Sequence, residues 1–294
     1  MRRRVFLGSA LAVSLDGCDI LPETPLPEAQ QPRFVAWPTP SRLALVLSSG
    51  GPRGFSHIGV LKALDDIGVK PDLVVGASVG ALLGSVMCAG ASMADIEQLG
   101  LEFDFKTLVR LSLTSGYKLS GASLAGFVNQ EVARRLGHTA LERLPLRFAA
   151  VAADVQSGAL AAFNSGNVGR AVQASSAIPG RFDPVLIRGR LFADGDLIAP
   201  LPVRWTRAAG ATKIIAVDCS ARTDNVPPVA EVYRETDLRK RALTDAEAKY
   251  ADITLHPDIG YWVHLSREFR ERTAKIAYDY TMARRGDIEK VAAA

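Results

Sequence analysis

Ser78 stands in Gly76-Ala77-Ser78-Val79-Gly80, a Gly-x-Ser-x-Gly pattern. A serine hydroxyl is a weak nucleophile until a turn exposes it and a base takes its proton. The pattern suits that chemistry only where a strand runs into the serine and a helix runs out of it. Here the apolar run over residues 73–75 reads as a buried strand, and residues 81–87 read as a helix. Gly76 and Gly80 flank the serine because so tight a turn needs close backbone approach. The following helix would set its positive end beneath Ser78. Gly121-Ala122-Ser123-Leu124-Ala125 is a near-copy without the second glycine, and there Ser123 reads as a helix-capping serine.

A second stretch able to do chemistry is Ser48-Ser49-Gly50-Gly51-Pro52-Arg53-Gly54. It lies between an apolar strand over residues 43–47 and a helix over Phe55–Ile67 that Gly68 stops. Such a loop aims backbone N–H groups at an anion. A dinucleotide loop fits poorly, because Ser49 stands where that fingerprint has glycine and Asp72 begins the next strand where an acid should end it. A P-loop lacks its Gly-Lys-Ser/Thr. An oxyanion loop fits, because Ser78 follows one strand later. Gly50 and Gly51 can then donate to a tetrahedral intermediate, with Arg53 and Gly54 completing the loop, whereas Pro52 has no N–H. Arg53 reads first as a tie for the loop and second as a lipid-phosphate contact. His57, one turn on, reads as a packed core histidine.

The elements that position these residues alternate. Residues 122–136 form a helix, 146–153 and 160–163 neighbouring strands, 203–209 a helix and 213–219 a central strand. Residues 227–249 are charge-rich and read as a surface loop plus helix; 265–284 read as a terminal amphipathic helix. Strands alternating with helices predict an α/β fold, a parallel-dominated sheet covered on both faces. Residues 103–118 mix apolar with basic side chains, which suits a half-buried helix and turn, or alternatively a lid or membrane-docking segment. No internal repeat or second-domain linker interrupts the chain.

Composition narrows the classes. With 48% hydrophobic residues in 294, a sizeable core is within reach. The formal charge of +4 owes much to Arg2, Arg3 and Arg4; from residue 18 onward 32 basic side chains face 30 acidic ones, so no nucleic-acid footprint is present. Three cysteines make no disulfide framework, and Cys88 and Cys219 read as buried thiols. The four histidines are scattered with no metal-ligand spacing, so neither a metal nor another cofactor is implied.

Residues 1–18 have the parts of an export signal: a basic start, an apolar run too short to span a bilayer, and a small residue before a break. Arg3-Arg4-Val5-Phe6-Leu7 resembles a bacterial twin-arginine signal. Leu15-Asp16-Gly17-Cys18 resembles a lipobox, with Asp16 a departure from it; lipidation of Cys18 would hold the protein at a membrane surface. Six prolines over residues 22–40 predict an extended tether across 19–41, with the folded domain spanning 42–294.

Four ordered blocks resemble the patatin-like phospholipases. They are residues 45–61 with the Ser78 elbow, Ala174-Ser-Ser-Ala-Ile-Pro-Gly-Arg-Phe-Asp-Pro-Val185, Phe192-Ala-Asp-Gly-Asp-Leu-Ile-Ala-Pro-Leu-Pro-Val203, and residues 250–258. The resemblance covers residues 42–280. It implies a three-layer α/β/α patatin-like fold with a mainly parallel central sheet, and a Ser–Asp dyad carried by Ser78 as nucleophile and Asp194 as proton acceptor. It also implies glycerolipid or lysolipid esters as substrates, with no metal. Two positions depart from the family's pattern: Ser49 replaces the loop's first glycine, and Asp196 makes Asp-Gly-Asp where Asp-Gly-Gly or Asp-Gly-Ala is usual. Asp196 is read as facing solvent. Two rivals stand beside the hydrolase reading. One is an α/β-hydrolase triad using His256 or His264; the other is a lipid-binding or scaffold lipoprotein whose site Ser49 and Asp196 have weakened.

Overall fold

The first strand shows how the sheet is covered. In β1 (Ser41–Leu47), Leu43, Leu45 and Leu47 point into one core, while Ala44 and Val46 point into another. A strand buried on both faces must be nearly continuous in apolar residues, as residues 43–47 are. The computed structural model describes residues 26–102, 110–111, 119–222 and 226–294. The export signal, Cys18 and most of the 103–118 segment lie outside them.

After β1 come α1 (Phe55–Ile67), β2 (Leu73–Ala77), α2 (Val79–Cys88) and α3 (Met93–Glu102). A short antiparallel pair follows, β3 (Arg110–Leu111) with β4 (Leu119–Ser120), and then α4 (Ala122–Leu136). The next elements are β5 (Arg147–Asp154), β6 (Leu160–Phe163), α5 (Val168–Ser175), β7 (Val185–Ile187) and β8 (Arg190–Asp194). The chain closes with α6 (Val203–Ala208), β9 (Ala211–Val217), α7 (Arg234–Ala248), β10 (Ile253–Leu255), α8 (Arg267–Met282) and α9 (Arg285–Ala293).

The main sheet runs β10-β9-β1-β2-β5-β8-β7, with β6 also paired to β5. From β10 to β5 every pairing is parallel, whereas β6 and β8 join β5 antiparallel and β7 joins β8 antiparallel. This is the expected three-layer arrangement with a mostly parallel sheet. Its two outer layers are unequal. Helices α1, α2, α4, α5 and α8 cover one face through residues such as Ile58, Leu83, Val128, Val172 and Phe269. The other face is covered more thinly, by Leu201 and Val203, the end of α7 and Trp37.

Trp37 corrects the reading of a tether over residues 19–41 for its described part, from residue 26 onward. Residues 26–40 are extended apart from a 3-10 turn over Glu28–Gln30 and a bend near Pro38, and they lie on the body. Arg33 N–H donates to Ser165 O at 3.0 Å, and the Asn164 side chain bonds Val35 N and O, each at 2.8 Å. The rings of Phe34, Trp37 and Trp205 meet edge to face at 5.4–6.1 Å. Prolines remove donors only at their own positions; the run from Arg33 to Trp37 contains none, so its N–H groups and rings remain available. Ser123 is a second correction. The cap of α4 is Gly121, which makes no side-chain bond, and the Ser123 hydroxyl is buried with no partner among the described residues.

Candidate active site

Ser78 sits where β2 ends and α2 begins, at φ 52° and ψ −119°. A non-glycine residue rarely adopts positive φ, and such strain persists only where the surroundings impose it. The two flanking glycines impose it here. A Cβ on Gly76 would lie 2.4 Å from Gly80 O, and one on Gly80 would lie 2.3 Å from Leu47 O. Ser78 N–H donates to Ser175 Oγ at 2.9 Å, and Ser175 Oγ–H donates to Val151 O at 2.6 Å, which ties the elbow to α5 and β5. The Ser78 hydroxyl does not cap α2. It donates to Asp194 Oδ2 at 2.9 Å.

Asp194 ends β8 and is 2% exposed. Its N–H donates to Ala177 O at 3.0 Å, and its Oδ1 accepts the Asp196 N–H at 2.8 Å. The Ser-Ser-Ala-Ile-Pro stretch therefore holds the backbone of both residues, Ser78 through Ser175 and Asp194 through Ala177. Sequence reasoning finds the block but assigns Ser175 no role. The signal that places it is Asn167, which caps α5 by accepting the Arg170 N–H and so marks the start of the helix that carries Ser175. Burial pushes the Asp194 carboxyl up to about 7, and the Asp196 carboxylate adds to the rise; the Asp196 N–H, the Ser78 hydroxyl and Lys240 oppose it.

The glycine loop packs against the same corner. A Cβ on Gly54 would lie 2.5 Å from the Val79 methyls, next in chain to Ser78. Gly51 takes φ 52°, and Pro52 opens a 3-10 turn over Gly51–Gly54. The N–H groups of Gly50 and Gly51 have no acceptor among the described residues. Arg53 ties the loop down: its guanidinium donates to Cys219 O at 3.0 Å, Tyr261 O at 2.6 Å and Gly260 O at 2.7 Å. His57 is fully buried beneath the loop, 2.9 Å from Ser48 O, and burial pushes its pKa down to about 4. A neutral ring at that position donates through Nε2.

Asp196 is one-third exposed, but its carboxylate is engaged and does not stand free in solvent as the sequence suggested. Its Oδ1 accepts from Ser49 Oγ and from Lys240 Nζ, the latter at 2.5 Å. The two departures from the family pattern are thus bonded to each other. Burial alone would raise the Asp196 pKa, but Lys240, Ser49 and Arg239 outweigh it and hold the carboxyl below the ordinary value.

The histidine alternative has no support in the geometry. His256 is engaged on both ring nitrogens, Nδ1 accepting from Arg241 at 2.8 Å and Nε2 facing Ser220 O at 3.1 Å. His264 is exposed. Among the described residues no group of three or more His, Cys, Asp or Glu is placed to hold a metal, and no helix is long and apolar enough to cross a membrane. A cavity of about 520 Å³ between α1, α3 and α8, lined by Ile58, Lys62, Leu101, Arg270 and Tyr278, includes neither Ser78 nor Asp194.

A largely buried serine at a sharp corner between strand and helix, bonded to a buried carboxylate beside a glycine loop, is the geometry found in serine hydrolases of α/β build. The family profile described as patatin-like phospholipase matches residues 45–205, more than half of the chain, and the protein belongs to that family. An uncharacterized NTE family protein of Mycobacterium tuberculosis is 36% identical over 193 residues, which is 66% of this chain and 52% of that one. Human patatin-like phospholipase domain-containing protein 6 is 32% identical over 190 residues, 63% of this chain and 14% of its own. Lysophospholipase NTE1 of Yarrowia lipolytica is 29% identical over 187 residues, 63% of this chain and 13% of its own. The chain thus spans about half the length of the mycobacterial relative and a small part of the eukaryotic ones. In fold it is similar to VipD of Legionella pneumophila, with TM-score 0.59 at 15% identity over 92% of this chain and 72% of that one.

Proposed function

We propose that the protein is a serine lipid acyl hydrolase that cleaves glycerolipid or lysolipid esters through Ser78 and Asp194. Membership of the patatin-like phospholipase family supports lipid ester hydrolysis in general. The observation that carries the specific reading is the 2.9 Å bond from Ser78 Oγ to Asp194 Oδ2, made to a carboxyl whose pKa lies at about 7. A base with that pKa takes a proton near neutral pH and returns it readily.

In the first half-reaction, Ser78 Oγ attacks the ester carbonyl as its proton passes to Asp194 Oδ2. The oxyanion accepts N–H bonds from Gly50 and Gly51. Collapse breaks the bond to the glycerol-side oxygen, which leaves as an alcohol with the proton from Asp194. In the second half-reaction, water attacks the acyl-Ser78 carbonyl and gives a proton to Asp194. Collapse then releases the fatty acid and returns the proton to Ser78. No step calls for a metal ion or an organic cofactor.

The residue 1–18 signal and Cys18 support placement in the cell envelope, as an exported lipoprotein on the periplasmic side of a bacterial membrane, where such substrates lie. The test is fatty-acid release by the 294-residue chain from mixed phospholipid and lysophospholipid vesicles, with EDTA present. Release by the wild type, lost in Ser78→Ala, is the expected result. A folded wild type that binds the vesicles and releases nothing would instead identify a lipid-binding scaffold.

A further inference from the structure

Gly50 and Gly51 follow β1, whereas Asp194 ends β8, and two strands stand between them in the sheet. An oxyanion loop works only if its donors keep a fixed distance from the base and the nucleophile. The residue before Gly50 and the second residue after Asp194 are joined directly, because Ser49 Oγ donates to Asp196 Oδ1. The same oxygen accepts from Lys240 Nζ at 2.5 Å. Ser49 is also held through its backbone, by its N–H to Pro200 O at 2.8 Å.

Lys240 comes from α7, outside all four family-like blocks, and its side chain is only 16% exposed. Lysine is seldom buried to that degree without a partner. A largely buried ion pair adds little net stability against an apolar replacement, so its effect is better sought in position than in stability.

We propose that Lys240 and Asp196 are positioning residues of the hydrolytic site, which clamp the glycine loop to the Asp194 turn and make α7 the site's third support. This rests on the reading of Ser78 and Asp194 as the reacting pair. The clamp works through an oxygen shared by two donors. Lys240 fixes the Asp196 carboxylate, and the carboxylate fixes the Ser49 hydroxyl and with it the start of the loop.

The same charges act on the base. Asp196 raises the affinity of Asp194 for its proton, and Lys240 lowers it. The other groups facing this cluster are Ser78 from the elbow, Arg239 beside Lys240 on α7, and behind the loop His57, which feels both Asp218 and Lys240. Removing one partner of the Lys240–Asp196 pair therefore shifts Asp194 in the opposite sense from removing the other. A purely structural role would not do this.

The experiment is hydrolysis of lysophosphatidylcholine micelles by the 294-residue chain, followed from pH 5 to 9 in wild type, Ser78→Ala, Lys240→Met, Lys240→Arg, Asp196→Asn and the Lys240→Met/Asp196→Asn double variant. Thermal melts check the fold of each. Lys240→Met should move the acidic limb of kcat/KM to higher pH and Asp196→Asn should move it to lower pH by more, in the order in which the two charges act on Asp194. Both should lower kcat about tenfold with KM little changed, because the loop is released. Lys240→Arg should restore both readouts. The double variant should return the limb toward its wild-type position while kcat stays low, and it keeps the test open if Lys240→Met, with its unpaired carboxylate, does not fold. Limbs that coincide with wild type, or that move together, would overturn the clamp. Activity retained by Ser78→Ala would instead overturn the underlying site.

Discussion

The hydroxyl of Ser175 joins the Ser78 elbow to the sheet, accepting the Ser78 N–H at 2.9 Å and donating to Val151 O at 2.6 Å. Both bonds are buried, so truncation would leave one donor and one acceptor without partners. A buried unsatisfied group costs about 1–3 kcal/mol. Ser175→Ala is expected to lower the melting temperature by several degrees and kcat by about tenfold, with KM nearly unchanged, since the strained Ser78 backbone loses one of its restraints. Melts and steady-state kinetics on one preparation check this.

Glycine substitutions should divide by what a Cβ meets. Gly80→Ala drives a methyl to 2.3 Å from Leu47 O, backbone that cannot yield, and the variant should not accumulate as folded protein. Gly126, on the exposed face of α4, has nothing within 4 Å of its Cβ. Gly126→Ala should stabilise the protein by about 1 kcal/mol, because alanine suits a helix interior better than glycine. Denaturant unfolding of the two variants beside wild type separates the cases.

Much of this site is legible in the sequence. The helix over Phe55–Ile67 and the strand over Leu160–Phe163 stand as read, because apolar periodicity and the stop at Gly68 are local signals. The structure also brings together the residues to which the family resemblance points, Ser78, Asp194 and the glycine loop. What escapes depends on contacts distant in sequence. No local pattern says that Ser49 will meet Asp196 across 147 positions, or that Lys240 will reach the same oxygen. The eight-residue α5 and the three-residue β7 are short, so their patterns span few residues and hide Ser175, although Asn167 marks the start of its helix. In the Pro-rich stretch the prolines dominate the sequence pattern, whereas its docking is set by the residues between them.

Asp194 carries a stability cost that reveals its environment. Its folded pKa of about 7 lies above the ordinary value of 3.8, so the folded state holds the proton more tightly than the unfolded one. Stability from this group is therefore full below about pH 4 and falls as pH rises toward 7. Asp194→Asn removes the titration. It should melt higher than wild type at pH 8, by a few degrees, with little difference at pH 4.5. Melting curves across that range are the check, and a variant that melts lower at pH 8 would contradict the burial argument.

His57 has the opposite sign. Its pKa is pushed from 6.5 to about 4, so the fold favours the neutral ring, and that stability is lost as pH falls through the window between those values. Gln at this position keeps a donor toward Ser48 O without titrating. His57→Gln should lower the melting temperature at pH 7, because the ring leaves space unfilled, yet weaken the loss of stability on acidification from pH 6.5 to 4. Paired melts of variant and wild type at three pH values read the slope directly.

The central claim is that Ser78 is the nucleophile and Asp194 its proton acceptor. An alkyl fluorophosphonate tests it whichever lipid ester is the substrate, since the attacking serine displaces fluoride and keeps the phosphonyl group. Intact mass and peptide mapping after labelling should show one adduct, on the peptide containing Ser78. The adduct should be absent in Ser78→Ala and form about a hundredfold more slowly in Asp194→Asn. An adduct on Ser49, Ser123 or Ser175, or labelling of Ser78→Ala at the wild-type rate, would contradict the account.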